Sequence, residues 1–181
     1  MEERTPQAAE PSKLKKILKE WIIPFGIEIL VVLLLLKFAF FLTRVPSGSM
    51  LPTIQEHSIL FATHMYAPEK TVQRGDILVF ESDELGEILI KRVIGLPGDE
   101  VTLDHGELYI NGERYEEPYV VYDENFSGTW NVPEGSYLFF GDNRAGSLDA
   151  RKWSEPYISE DKLIGEARFT LWPLSNFGFL E

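Results

Sequence analysis

Two residue types that can form a catalytic pair, a serine and a lysine, lie in segments of distinctive composition. Ser49 belongs to the stretch PSGSMLPT (residues 46–53), and Lys91 lies in the apolar run EILIKRVIG (residues 87–95). A serine hydroxyl becomes a nucleophile when a neighbouring base takes its proton. A lysine serves as that base when burial lowers its pKa from about 10.4 toward neutrality. Ser49 is therefore a candidate nucleophile and Lys91 its candidate general base.

Each segment also has an ordinary interpretation. A serine in a loop rich in Pro and Gly is commonly a turn residue, and a lysine on an edge strand commonly discourages aggregation. With a strand period of two, Lys91 shares a face with Leu89 and Val93, so we expect it among apolar neighbours. A third segment, GDNRAGSLDAR (residues 141–151), indicates on its own only a tight loop held by side-chain to backbone hydrogen bonds.

A long apolar segment precedes both residues. Residues 21–42 read WIIPFGIEILVVLLLLKFAFFL, and a helix of that length spans about 33 Å, enough for a hydrocarbon core of about 30 Å. Glu28 and Lys37 interrupt the segment away from its centre, where long side chains reach toward the headgroups. A cleaved export signal is the alternative, but the segment is long for one and no A-x-A-like site closely follows. We expect a retained transmembrane anchor.

The charge distribution predicts the orientation of this anchor. Residues 1–20 hold five Lys or Arg residues against four Glu, and the positive-inside rule keeps such a tail in the cytoplasm. Residues 43–181 then form an extracytoplasmic domain. Ser49 follows Leu42 by only seven residues, so its hydroxyl must stay within roughly 25 Å of the outer membrane face. A nucleophile held there serves substrates that arrive at the lipid bilayer.

Composition argues against several other functions. The formal net charge of −12 argues against nucleic acid as a partner, because phosphate binding needs a cationic face. The absence of cysteine excludes disulfides, thiol catalysis and cysteine-ligated metals. His57, His64 and His105 match no metal-ligand spacing, and no Gly-rich phosphate loop occurs. We therefore expect no metal and no cofactor.

The rest of the chain predicts β-structure, because short apolar runs alternate with turn signals and no long helical period appears. Asn111-Gly112 lies between two such runs and predicts a hairpin, since both residues tolerate positive φ. Residues 116–136 are acidic and contain Pro and Gly, which favours a long loop or weak hairpin. We expect a mainly β, compact antiparallel domain whose strands lie near residues 58–62, 77–80, 88–94, 101–103, 107–110, 113–115, 137–140 and 164–171.

Taken together and in this order, the three segments resemble those of the type I signal peptidases, over essentially the whole chain. PSGSMLPT is similar to the family's nucleophile box, KRVIGLPGD to the box carrying its lysine base, and GDNRAGSLDAR to a third box. Ala145, Gly146 and Ala150 depart from the residues that many relatives carry in that third box. The chain is also short and free of cysteine, like the compact members that lack a large inserted second domain.

The resemblance implies an SH3-like or barrel-like β fold and a membrane-bound serine endopeptidase. Such an enzyme removes N-terminal signal peptides from exported preproteins after small residues, at sites of the A-x-A type. Its implied partners are those signal peptides and the lipid bilayer, with no cofactor and a monomeric state. The implied location is the plasma membrane, with a single pass, a cytoplasmic N-terminus and the catalytic domain outside.

The resemblance also implies roles for single residues. Ser49 attacks the scissile carbonyl, Lys91 takes its proton, and the Ser147 hydroxyl orients the lysine. The Ser47 hydroxyl and the Ser49 backbone N–H form the oxyanion hole. Substrate is expected as an added strand beside the segment before Ser49 and the Lys91 strand. Shallow pockets are expected from Val45, Met50 and Ile90, and a supporting ion-pair network from Arg92, Asp142, Arg144, Asp149 and Arg151.

Two alternatives remain open. Self-cleaving repressors of the bacterial DNA-damage response use a Ser–Lys pair on a related fold, but they carry a DNA-binding domain where this chain has an apolar segment. A catalytically inactive, membrane-tethered relative or assembly subunit is expected to have lost a catalytic position, and Ser49, Lys91 and Ser147 are all present. Candidates for contact with the membrane interface are the aromatic residues Trp130, Trp172, Phe177 and Phe179, and for Trp172 core packing is the alternative.

Overall fold

The structure, a computed structural model, describes residues 16–180 of the 181-residue chain. The chain divides into two compact units at the junction between Ala39 and Phe40. Residues 1–15, which make up most of the predicted tail (residues 1–20), lie outside the described residues.

The first unit contains one long apolar helix. It begins with a π-helical turn, Leu18–Ile22, and continues as helix α1, Ile23–Ala39. The 22 residues Leu18–Ala39 are long and apolar enough to cross a membrane. The helix ends three residues before the end of the predicted apolar segment, because residues 40–42 form part of a strand in the second unit.

The second unit is built on an eight-stranded antiparallel sheet. In chain order its strands are β1 (Phe40–Arg44), β2 (Ile59–His64), β3 (Ile77–Ser82), β4 (Glu87–Gly95), β9 (Ser136–Phe140), β10 (Tyr157–Ser159), β11 (Leu163–Trp172) and β12 (Gly178–Phe179). Their order in space is β1-β2-β11-β3-β4-β9-β10, with β12 beside β11. Strand β1 therefore lies at one edge of the sheet.

A four-stranded antiparallel sheet has the order β7-β6-β5-β8. Its strands are β5 (Glu100–Asp104), β6 (Glu107–Ile110), β7 (Glu113–Tyr115) and β8 (Gly128–Asn131). Asn111 and Gly112 join β6 to β7 with φ of 51° and 82°, so the hairpin predicted from this dipeptide is confirmed. Helix α2 is a single turn, Pro68–Thr71, and Glu160–Lys162 and Leu174–Asn176 are 3₁₀ turns.

The predicted mainly β, antiparallel fold with one N-terminal apolar helix is confirmed. Residues 16–180 contain twelve strands, where the sequence predicted about eight. Strands β1, β10 and β12 were not predicted. Strand β8 lies within residues 116–136, which were predicted to be a loop or weak hairpin, and it pairs with β5 rather than within that stretch.

Strand β3 carries apolar side chains on both of its faces. Leu78 and Phe80 belong to a large core cluster shared with the four-stranded sheet, and Ile77 and Val79 belong to a smaller cluster. Successive strand residues point to opposite faces, so both faces of the large sheet are covered at β3. The buried members of the smaller cluster are Val45, Met50, Ile54, Leu60, Ile77, Val79, Ile90 and Ala167. This cluster anchors the connection between β1 and β2, which contains Ser49.

Candidate active site

Ser49 lies in the connection between β1 and β2, and the next residue, Met50, anchors this loop in the core. Met50 and Ile54 are buried in the smaller core cluster, and the Ile54 N–H donates to the Met50 carbonyl at 2.8 Å. At the start of the loop, the Val45 N–H donates to the Ser58 carbonyl at 2.9 Å. Ser49 itself is only 7% exposed. The nucleophile predicted from the sequence is thus held in a fixed, largely buried position.

Lys91 lies on β4 and is 3% exposed, as the apolar pattern around it predicted. Its Nζ donates to Ser49 Oγ at 2.7 Å and to the Ile90 carbonyl at 3.3 Å. Burial lowers the pKa of Lys91 to about 8, against the negative charges of Asp149 and Asp142, which raise it. The structure therefore brings a hydroxyl together with an amine that loses its proton close to neutral pH.

The predicted oxyanion residue Ser47 lies beside this pair. Its exposed hydroxyl donates to Ser49 Oγ at 3.3 Å. A hydroxyl in this position can rotate away from Ser49 toward a bound carbonyl oxygen. No group of three His, Asp or Glu side chains within residues 16–180 is arranged to hold a metal ion. The site itself brings together the hydroxyls of Ser47 and Ser49 and the amine of Lys91.

Ser147 does not form the hydrogen bond to Lys91 that the resemblance implies. Its hydroxyl is buried without a hydrogen-bond partner among the described residues, whereas Lys91 donates to Ser49 and Ile90. Ser147 Oγ instead lies against Gly141, where the absence of a Cβ leaves room for it. The residue is at the site, in the loop that packs on the Ser49 backbone, but its side chain is not engaged.

Four of the five predicted network residues form two ion pairs, each with two hydrogen bonds. Arg92 donates from Nε and Nη2 to the two oxygens of Asp142 at 2.9 and 2.8 Å. Arg151 donates from Nε and Nη2 to those of Asp149 at 2.8 and 2.9 Å. All four residues are less than 10% exposed, so each buried charge has an opposite charge in contact. The Asp149 carboxylate also accepts the Gly141 N–H at 2.8 Å.

The fifth predicted network residue, Arg144, pairs with a residue that the sequence analysis did not identify. Its Nη2 donates to Glu117 Oε1 at 2.5 Å, and that oxygen also accepts the Tyr119 hydroxyl at 2.8 Å. The Tyr119 ring lies 3.9 Å from the Arg92 guanidinium, and burial raises the pKa of the Tyr119 hydroxyl. Tyr119 therefore covers the Arg92 guanidinium, and Glu117 pairs with Arg144. The acidity of this stretch was the only sequence signal, and it named no partner.

A groove opens beside Ser49 and Lys91. Its cavity volume is about 40 Å³, and it is lined by residues 43–47 and 88–91 and by Ser49. Val45 and Ile90, two of the predicted pocket residues, line it. Met50, the third, does not line it and is fully buried in the smaller core cluster. The structure therefore brings two of the three predicted pocket residues to the groove.

Both walls of the groove are strand edges. Strand β1 is the outermost strand of the large sheet, and β9 pairs with β4 only from Arg92 onward. Residues 88–91 consequently have β3 on one side and no strand on the other among the described residues. Free N–H and C=O groups on such edges can pair with an extended peptide.

Comparison with known proteins gives consistent matches. The model of the family described as "Signal peptidase, peptidase S26" matches residues 18–172. A signal peptidase I of Leptolyngbya laminosa is 35% identical over 184 residues, which cover 97% of this chain and 89% of that protein. A signal peptidase IB of Staphylococcus aureus is 30% identical over 185 residues, 92% of this chain and 95% of that protein. The crystal structure of a signal peptidase I from Enterococcus faecalis is 33% identical, with a TM-score of 0.48, and covers 53% of this chain and 96% of that chain.

Proposed function

The chain belongs to the peptidase S26 family of signal peptidases, which are serine peptidases, and we propose that Ser49 and Lys91 form the catalytic pair with which it removes signal peptides from exported preproteins. The observation that carries this proposal is the 2.7 Å separation of Lys91 Nζ and Ser49 Oγ in a buried site. At this separation a neutral amine can accept the proton of the hydroxyl.

In the proposed reaction, Ser49 Oγ attacks the scissile carbonyl carbon while its proton moves to Lys91 Nζ. The carbonyl π electrons move to the oxygen, which the Ser47 hydroxyl and the Ser49 N–H stabilise as its negative charge grows. Lys91 then gives the proton to the departing amine, leaving an ester on Ser49. Water then attacks the ester while Lys91 takes its proton. The bond between the acyl carbon and Ser49 Oγ breaks, Lys91 returns the proton to Oγ, and the signal peptide leaves with a new carboxyl group.

We propose that the signal peptide binds in the groove as an added strand. The free edges of β1 and of residues 88–91 support this, because they offer backbone groups on both sides. Alternate residues of an extended peptide point the same way, so positions −1 and −3 would face the same wall. Val45 and Ile90 line a groove whose cavity volume is only about 40 Å³, which leaves little room for large side chains at those positions. This favours cleavage at sites of the A-x-A type.

The pH dependence of cleavage tests the lysine base. With the pKa of Lys91 lowered to about 8, kcat/KM should rise about tenfold per pH unit below pH 8 and level off above about pH 9. At pH 6 we expect roughly one-hundredth of the plateau value, because that fraction of the lysine is neutral. The measurement is cleavage of one A-x-A preprotein by the full chain in detergent, from pH 6 to pH 10.

A second preprotein without ionisable residues near its cleavage site is the control, since its profile should show the same limb. A flat profile over this range, for both substrates, would contradict a lysine base.

We propose that the apolar helix is a retained, single-pass anchor of the plasma membrane. Its 22 residues, Leu18–Ala39, are sufficient to span, and β1 begins at the next residue, Phe40. A processing enzyme would therefore find no loop between the helix and the sheet in which to cut. The Lys-rich segment before the helix favours a cytoplasmic N-terminus, with the domain that carries Ser49 on the extracytoplasmic face.

An apolar face of the large sheet supports lipid as a partner of that domain. Phe179, Phe169, Phe61 and Leu42 are direct cross-strand neighbours over β12, β11, β2 and β1, so their side chains share one face. Trp172 is 54% exposed, and the exposed Phe177 packs edge-on against Phe169. Exposed apolar patches of this kind mark interaction surfaces. We propose that this face, the β1/β12 face, enters the headgroup region of the bilayer.

Trp130, the fourth aromatic residue considered from the sequence, lies elsewhere. It belongs to the four-stranded sheet, stacks on Phe126 at 6.0 Å between ring centroids and packs edge-on against Phe140 at 5.3 Å. Its core packing makes it the internal control for the β1/β12 face.

Lipid contact of the β1/β12 face can be measured through Trp172. The Trp172 contribution to the fluorescence is the difference between the wild type and Trp172→Phe. In vesicles of lipids brominated near the headgroup, this contribution should be strongly quenched, because bromine quenches an indole that it contacts. The Trp130 contribution, obtained in the same way from Trp130→Phe, should be quenched much less. Equal quenching of the two components would contradict lipid contact by this face.

A further inference from the structure

The peptide bond between Gly48 and Ser49 is held on one side and free on the other. Its carbonyl accepts the Asn143 side-chain Nδ2 at 3.0 Å and the Leu51 N–H at 3.2 Å. The bond is trans, so the Ser49 N–H points away from that carbonyl. This N–H donates to no group within residues 16–180, although Ser49 is only 7% exposed. An N–H without a partner in a largely buried residue is uncommon and indicates a place for a bound acceptor.

The side-chain amide of Asn143 has a defined orientation. Its Oδ1 accepts the Gly146 N–H at 3.0 Å, and only the oxygen of an amide can accept. The nitrogen must therefore face the Gly48 carbonyl. The backbone N–H of Asn143 also donates to the Ser49 carbonyl, at 3.1 Å. Asn143 thus donates hydrogen bonds to two successive carbonyl groups, those of Gly48 and Ser49.

We propose that Asn143 is a positioning residue that aims the Ser49 N–H at the oxyanion of the tetrahedral intermediate, an inference that rests on the proposed function. Without Asn143, the Gly48–Ser49 peptide keeps only the longer bond from Leu51, and Gly48 has no Cβ to limit rotation of the peptide plane. A hydrogen bond to the carbonyl also polarises the peptide unit and makes its N–H a stronger donor. Asn143 itself does not contact the oxyanion and acts on it only through the Gly48–Ser49 peptide.

Asn143→Asp is the variant that isolates the donor. The aspartate keeps an oxygen for the Gly146 N–H and places its second oxygen, which cannot donate, beside the Gly48 carbonyl. We expect kcat to fall by about 10- to 100-fold with KM within about twofold, because oxyanion donors act mainly in the transition state. Both constants are measured near pH 10, where Lys91 is neutral, so that the added charge does not act through the lysine.

Asn143→Ala adds no charge and supplies the pH profile. Its kcat should fall by a similar factor, while the midpoint of the basic-going limb stays at the wild-type pH because Lys91 is untouched. Exposed Asn131, on β8, is the matched control, and Asn131→Ala should retain wild-type kcat and KM. Thermal unfolding of each variant shows whether the fold is retained.

A peptide aldehyde ending at an A-x-A sequence separates oxyanion binding from substrate binding. Ser49 Oγ adds to the aldehyde carbon, and the resulting hemiacetal oxygen lies where the oxyanion would. Both Asn143 variants should bind the aldehyde more weakly, by about the factor lost in kcat, and should bind the same peptide amide as wild type does.

Unchanged kcat in both variants, or equal losses of aldehyde and amide affinity, would overturn the positioning role. Failure of the proposed function looks different, since the wild type itself would then neither cleave the preprotein nor bind the aldehyde more tightly than the amide.

Discussion

Lys91→Met is expected to lower kcat for cleavage of an A-x-A preprotein by about 10,000-fold or more, and Ser49→Ala to do the same. Lys91 Nζ is 2.7 Å from Ser49 Oγ, and the described part of the chain places no histidine or carboxylate in hydrogen-bond contact with that hydroxyl to replace it. Nucleophile and base act as one unit, so the double variant should be no slower than either single variant. The measurement is single-turnover cleavage in detergent at the pH plateau.

Lys91→Met should leave the protein folded and should raise its stability. Burial holds the pKa of Lys91 at about 8, below its unfolded value of about 10.4. Below pH 8 the folded state therefore contains a buried ammonium, which destabilises it relative to the unfolded state, where the ammonium is hydrated. Between pH 8 and about 10.4, folding releases the proton and this penalty declines. Lys91→Met should therefore raise the unfolding temperature most below pH 8.

Exposed Lys70 is the matched control for the loss of a lysine, and Lys70→Met should keep wild-type activity. Activity of Lys91→Met above a few per cent of wild type would contradict its role as base. A lower unfolding temperature would instead indicate that Lys91 mainly supports the fold.

The arrangement around Lys91 shows how the pKa of a lysine can be lowered although two acids lie near it. Asp142 and Asp149 raise the pKa of Lys91, yet burial prevails and the net shift is downward. Each carboxylate has its two oxygens occupied by one arginine, Arg92 or Arg151. Pairing of this kind spreads the negative charge over a neutral ion pair and leaves less of it to act on the amine.

The sequence predicts Ser49 and Lys91 as a catalytic pair through the resemblance of their segments to those of the signal peptidases, and one local signal supports the lysine. A strand period of two around Lys91 predicts apolar neighbours, and the residue is 3% exposed. The fold class follows likewise from alternating apolar runs and the Asn111-Gly112 turn. Strand β1 was missed because Phe40, Phe41 and Leu42 continue an apolar run, and apolarity alone does not distinguish the end of a helix from a strand.

Contacts between distant segments were beyond such reasoning. Glu117 and Arg144 are 27 residues apart, and only the fold brings the carboxylate to the guanidinium. Likewise Asn143 reaches Gly48 across 95 residues, through a hydrogen bond that no spacing implies. Side-chain rotamers are a further limit, since Ser147 lies where the third box predicts but turns its hydroxyl to Gly141.

Gly141→Ala is expected to reduce kcat by at least about 100-fold while the chain still folds. A Cβ at this position would lie 2.5 Å from the Ser49 carbonyl oxygen and closer still to the Ser147 hydroxyl. The carbonyl is backbone and cannot rotate aside, so the loop carrying Ser49 must move away from residues 141–151. A displacement of about 1 Å at a reacting atom costs about 100-fold in rate.

Gly178→Ala is the matched control, because a Cβ there meets nothing within 4 Å; Gly178 lies in β12 of the large sheet, and Gly141 directly follows β9 of the same sheet. Thermal unfolding should show a loss of stability in Gly141→Ala that is small beside its loss of activity, since the bond from its N–H to Asp149 can persist. Near-normal kcat in Gly141→Ala would mean that residues 141–151 can shift without moving Ser49. The contact between the two segments would then play no part in holding the nucleophile against its base.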